Sequence, residues 1–160
     1  MPFYILLLNP EVDYTMIMPD FKDFPRAGRI IGFDWGLQRT GVAVSDESRE
    51  FVFVREPIVG GDMAQQMAKM AEKEKAVGIV LGLPMRTDGS ESETTKMVRD
   101  VAKQIATYTN LPICFIDESL TSSTAAEETK LRTIKDIKTK LDSQAARIIL
   151  ENAIAVIKRL

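Results

Sequence analysis

Residues 29–48 read RIIGFDWGLQRTGVAVSDES, and the placement of Asp34 within them decides the fold. An apolar run, Ile30 to Phe33, ends on a carboxylate, and Trp35, Gly36 and a second apolar run follow at once. A buried strand seldom ends on an acid without cause, because an unpaired buried charge is costly. One cause is a turn, for which aspartate and glycine are ordinary residues. The other is a binding site at a strand end.

The pattern around this stretch is that of short strands and then alternation. Residues 29–35, 40–46 and 50–59 are three β-type runs separated by tight turns, which predicts a meander. After Gly60-Gly61 the period changes. Asp62 is placed to cap a helix with Met63, Met67, Met70 and Ala71 on its apolar face, a methionine stripe read as core. Residues 77–83, VGIVLGL, read as a strand covered on both faces.

Pro84 ends that strand, and the turn signal Asp88-Gly89 leads into a second helix. There Ser90-Glu91-Ser92-Glu93 fits a capping box, and Met97, Val98, Val101, Ala102, Ile105 and Tyr108 supply the buried face. Residues 111–117 form a fifth strand, and 118–131 a turn plus a short helix. Asp142 is then expected to open a final helix with Ala145, Ala146, Ile149, Ala153, Val156 and Leu160 inward. The order β-β-β-α-β-α-β-α-α predicts an α/β domain with a five-stranded mixed sheet flanked by helices over residues 29–160. Residues 1–28, with four prolines, read as an irregular or partly strand-like extension that includes possible internal starts at Met16 and Met18.

The bulk composition narrows the chemistry. The chain has 160 residues, enough for one substantial core, with 45% hydrophobic and 28% charged content. With no histidine and one cysteine, Ser-His-Asp and Cys-His catalysis are excluded and a zinc site is disfavoured. Cys114, in an apolar run, reads as a small hydrophobe in a reducing compartment. A net charge of −2 confines any polyanion site to a local patch. The absence of a long apolar span, or of a basic leader, predicts a cytoplasmic protein without a membrane partner.

Acid–base or metal chemistry therefore falls to carboxylates. Asp34, Asp117, Glu118 and Asp142 stand at strand ends or a helix head, where ligand sites gather in open α/β sheets. Grouped carboxylates call for a hard cation such as Mg²⁺ or Mn²⁺, and two such ions can drive phosphodiester hydrolysis. Each acid has a plainer reading as turn former, solvated strand exit or N-cap. The basic run 130–140, KLRTIKDIKTK, holds Lys130, Arg132, Lys135, Lys138 and Lys140, and reads either as a solvated surface or as a phosphate contact.

Four motifs in series resemble a known family. They are Asp34-Trp35-Gly36 with Arg39 and Gly41 to Asp46; Gly82-Leu83-Pro84 with Asp88-Gly89-Ser90; Asp117-Glu118 with Leu120-Thr121; and Asp142 with Gln144-Ala145-Ala146. From Arg29 to Leu160 the chain is similar to the YqgF family, Holliday-junction-resolvase-like proteins also described as pre-16S rRNA nucleases, of the ribonuclease H-like fold. The resemblance implies a nuclease using Mg²⁺ or Mn²⁺, with Asp34, Glu118 and Asp142 as the catalytic, metal-binding triad and Asp117 and Asp46 as neighbours. Substrate contacts would come from Arg39, Arg86, Thr121, Lys135, Lys138 and Lys140. The implied partner is nucleic acid, either pre-16S rRNA or branched DNA, met by a monomer or a homodimer.

Two departures stand out: Leu37-Gln38 replaces the family's Thr-Lys, and Ser119 its Arg. They remove possible phosphate contacts and open a rival reading, a nucleic-acid-binding or ribosome-maturation module without catalysis. The loop at Asp34 also resembles the phosphate loop of actin-like ATPases, but those close two such domains over a nucleotide.

Overall fold

The computed structural model describes residues 8–118 and 134–160, and only the backbone of residues 134–143. Its strands are β1 (Ile17–Met18), β2 (Ile30–Asp34), β3 (Arg39–Ser45), β4 (Val52–Val59), β5 (Gly78–Leu83) and β6 (Ile113–Asp117). Its α-helices are α1 (Met63–Lys73), α2 (Glu93–Ala106) and α3 (Ile134–Lys158).

The strands form one sheet in the order β1-β6-β5-β2-β3-β4. β2, β3 and β4 make the expected antiparallel meander, whereas β5 joins β2, β6 joins β5, and β1 joins β6 in parallel. The fold is a mixed α/β sheet flanked by helices, with the five expected strands and a sixth from the N-terminal segment. That added strand has two residues, pairing Ile17 with Ile113 and Met18 with Cys114. So short a strand leaves no alternating pattern to read.

The same segment helps fill the core. Phe24 is 1% exposed, and its ring lies where a side chain on Gly78 would be, 2.5 Å from an added Cβ. Burying one such ring contributes on the order of 1.5–3 kcal/mol.

Helices cover both faces. α1 and α2 pack on one face around Phe33, Val42, Leu81 and Ile105, while α3 covers the other around Ile30, Val80, Ile149 and Leu150. β5 lies between these layers and is buried throughout, as its unbroken apolar run predicts.

Local signals hold in part. Asp62 caps α1, its side chain accepting from the Gln65 N–H at 3.1 Å. The capping box of α2, however, is Ser92 with Thr95 rather than Ser90 with Glu93. The Thr95 hydroxyl also donates to the Pro84 carbonyl, tying the helix head to the end of β5. Tyr108 lies beyond the end of α2, 47% exposed, with its hydroxyl 3.0 Å from the Asp62 carboxylate.

The largest difference is in α3. It begins at Ile134, so Asp142 is an interior residue and not an N-cap. The buried stripe runs Ala146, Ile149, Leu150, Ala153, Ile154 and Ile157, whereas Val156 and Leu160 are exposed. At about 100° per residue Val156 lies roughly 90° from the centre of the buried stripe, and Leu160 follows the helix end at Lys158. The expected turn and short helix over 118–131 fall, after Glu118, outside the described residues.

Candidate active site

Asp34, the last residue of β2, shares a face of the sheet with Ile30 and Gly32, because side chains alternate along a strand. That face is the one covered by α3. Glu118 follows the last residue of β6, and its N–H donates to the Leu83 carbonyl at 3.2 Å, keeping it in register with the end of β5.

β2 and β6 are separated by β5, two strand spacings, or about 10 Å between backbones. The Glu118 side chain bridges that gap and hydrogen-bonds the Asp34 carboxyl. It does so directly over Gly82. A Cβ added there would collide with Glu118 Oε2 and with Ile149 Cδ1. Gly82 therefore supplies the floor over which one carboxyl reaches the other, the close approach that a strand glycine permits.

Burial raises the Glu118 carboxyl above the ordinary range, and the negative charge of Asp117 adds to the effect. The hydrogen bond with Asp34 opposes it in part. Two carboxylates this close repel one another, and a cation between them removes that cost. Their oxygens are the hard donors that Mg²⁺ or Mn²⁺ prefers, so these two residues fit such an ion. Among the described residues no three His, Cys, Asp or Glu side chains form a metal-binding group.

Asp117 points the other way. As the residue before Glu118 it turns to the α2 face, where it lines a cleft with Arg99 and Phe115. Asp46 is removed from the site altogether. Asp34 pairs with Gly41 in the antiparallel register, which puts Asp46 five residues along β3, about 17 Å away at the opposite end of the sheet. There it accepts from the Ser48 hydroxyl and the Phe51 N–H, and both bonds lower its pKa. An antiparallel partner reverses chain direction, so closeness in sequence to Asp34 becomes distance.

The backbone places position 142 without reference to its side chain. α3 lies close over β2, since a Cβ on Gly32 would be 3.0 Å from Leu150 Cβ and 3.5 Å from the Ala146 carbonyl. It runs antiparallel to β2, because Lys158 near its end reaches the Arg49 carbonyl, at 3.3 Å, beside the start of that strand. One turn back from Ala146 is about 6 Å, and the step from Gly32 to Asp34 is about 7 Å. Position 142 is therefore level with Asp34.

Of the expected substrate contacts, Arg39 opens β3 and is half-buried, while Arg86 is exposed in the loop after β5. That loop closes on itself through Arg86 N–H to the Ser90 carbonyl, 2.9 Å, with Gly89 at a φ of +85°. Lys135, Lys138 and Lys140 lie in the first half of α3. Thr121 and Ser119 fall outside the described residues. Cys114 is fully buried, and burial pushes its thiol up to about 12, consistent with a packing residue.

Residues 28–155 match the model of the family described as RuvX: Holliday junction resolvase. The chain belongs to this family. A protein of Maridesulfovibrio salexigens named "Putative pre-16S rRNA nuclease" is 39% identical over 132 residues, 79% of this chain and 98% of that one. A protein of the same name from Thiobacillus denitrificans is 37% identical, covering 81% of this chain and 93% of its own. Among solved structures, "T. thermophilus RuvC in complex with Holliday junction substrate" aligns with 82% of this chain at 8% identity and a TM-score of 0.49. No helix among the described residues is long and apolar enough to cross a membrane.

Proposed function

We propose that the protein is a metal-dependent endonuclease that hydrolyses phosphodiester bonds in 5′-end maturation of pre-16S rRNA in the cytoplasm. The observation that carries this is the Asp34–Glu118 carboxyl pair held over Gly82 at the carboxyl ends of β2, β5 and β6. The rRNA substrate is favoured by the names of the two relatives above.

In this reading Asp34, Glu118 and Asp142 would hold Mg²⁺ or Mn²⁺, which when bound would supply an activated water and stabilisation of the leaving oxygen. Asp34 and Glu118 bring the two walls of the site together across β5. Asp142, level with Asp34 on α3, adds the third charge. Asp117 contributes through its field. Arg39, Arg86, Thr121, Lys135, Lys138 and Lys140 would contact the phosphate backbone, taking the place of the basic groups that Gln38 and Ser119 do not provide.

The test is cleavage of a precursor 16S transcript and of a DNA four-way junction side by side in Mn²⁺, with Asp34→Asn as control. Processing of the transcript, lost in Asp34→Asn, is expected. Cleavage of the junction alone would move the substrate to branched DNA, as the family's description suggests. Cleavage of neither, together with no thermal stabilisation by Mn²⁺, would leave a binding module without catalysis.

A further inference from the structure

Asp34 and Trp35 are adjacent in the chain but turn to opposite faces of the sheet. Trp35 packs against the core layer beneath α1 and α2, at the edge of a cleft of ≈ 210 Å³. Leu37, Met63 and Met97 complete an apolar lining, with Asp100 and Gln104 of α2 as its polar side. Leu37 is 73% exposed, an aliphatic side chain held in solvent at the mouth.

From these features we infer that the cleft is a base-binding subsite, taking one unpaired nucleobase of the strand whose phosphate lies at Asp34. The inference rests on the nuclease reading and adds to it the requirement for a single-stranded flank. The occupant follows from continuity with the acid site, since Asp34 and Trp35 are consecutive residues at the end of β2 and the cleft begins at Trp35. A strand passing over the end of β2 has its phosphate on one face and its base on the other. The lining matches a flat heterocycle: an aromatic ring and thioethers against its π face, a carboxylate and an amide toward its edge. Unpaired bases are recognised in this way, by stacking on aromatic side chains and by hydrogen bonds to their edges.

The polar side also sets a preference. An ionised Asp100 only accepts hydrogen bonds, and the Gln104 amide both donates and accepts. Adenine, cytosine and guanine carry exocyclic amines that can donate to Asp100. Uracil has none, so a uridine tract is the weakest ligand.

Trp35 is the sole tryptophan, so intrinsic fluorescence reports the cleft directly. The experiment titrates the full chain, in chelator and low salt, with A, C, G and U pentanucleotides as ribo- and deoxy-oligomers. Saturable quenching by single strands is expected, weakest for U, and Asp100→Asn should narrow the gap between U and the others. Binding read by anisotropy of a labelled oligomer should weaken about tenfold or more in Trp35→Leu, the scale of one lost stacking contact. Leu37→Asp, at an exposed position, should weaken binding without disturbing the fold. Asp34→Asn should retain the quenching while losing cleavage, which separates the two readings. Quenching without hydrolysis by the parent protein would overturn the nuclease and leave the subsite. Absence of quenching by any oligomer, or unchanged affinity in both cleft variants, would overturn the subsite even if cleavage stands.

Discussion

Gly82→Ala adds a single methyl group at the point where the site is narrowest. It would meet Glu118 Oε2 and Ile149 Cδ1, with Ile149 Cγ1 at 3.0 Å, beneath a helix packed close to the sheet. Overfilling a packed interior costs about 1–3 kcal/mol. For a chain of this size each 1 kcal/mol lowers Tm by roughly 2–4 °C, so a fall of about 2–12 °C is expected. The flexible Glu118 side chain can yield more readily than Ile149, so the carboxyl pair should open before the helix shifts. Activity and Mn²⁺-induced stabilisation should therefore drop far more than stability does. Calorimetry of the parent, Gly82→Ala, Glu118→Ala and the double variant isolates the contact. Because the two residues touch, their effects should be non-additive by about 0.5 kcal/mol or more, Gly82→Ala being milder once the carboxylate is gone. Strict additivity, with full activity in Gly82→Ala, would refute the placement of Glu118 over Gly82.

Glu118→Asp should abolish metal-dependent cleavage while leaving the fold intact, because the shorter side chain cannot span β5 to Asp34; retained activity would remove the bridge from the argument. Glu118→Gln in chelator should gain stability over the parent as pH rises. The sign follows from a folded-state carboxyl raised above its 4.5 reference: its stabilising effect is present at low pH and is lost as pH climbs through the raised value. A difference that stays constant with pH, followed by denaturant titration, would contradict it. Asp142→Ala should lose cleavage at no cost in stability, since alanine is the better residue inside a helix by up to about 0.7 kcal/mol. A loss of ~1 kcal/mol would instead restore the N-cap role. Neutralising Lys135, Lys138 and Lys140 together should reduce the salt dependence of RNA binding, and an unaltered slope would release α3 from phosphate contact.

What the sequence made legible depended on whether a local cause dominated. The meander, the buried β5 and the Asp62 cap follow from alternation, an unbroken apolar run and a side chain that bonds three residues on. Asp34 stands out in the sequence because an acid flanked two residues away by glycines, at the end of an apolar run, has few reasons to be there. The start of α3 was not, because lysines hide the three- and four-residue spacing of Ile134, Ile137 and Leu141. The exposure of Tyr108 was equally hidden: a helix that ends at Ala106 leaves that side chain off its face. The distance of Asp46 required knowing the strand register, which is tertiary information.

Gly82 shows why the site had to be assembled before its parts could be understood. In the sequence it is one small residue in an apolar run, equally suited to packing alone. In the sheet it stands midway between two strand ends whose acids must meet, on a strand whose neighbours are otherwise fully packed. An aspartate at 118 would leave the gap open, and a side chain at 82 would block it. The two carboxyls meet only with the longer acid after β6 and no side chain at position 82 of β5. The next residue after the inner acid, Trp35, then turns to the opposite face by simple strand alternation. A strand end of two residues thus presents a carboxyl on one side of the sheet and an apolar wall on the other. That division ties the reach of Glu118 and the cleft at Trp35 to one local geometry, and disrupting β2 register should disable both together.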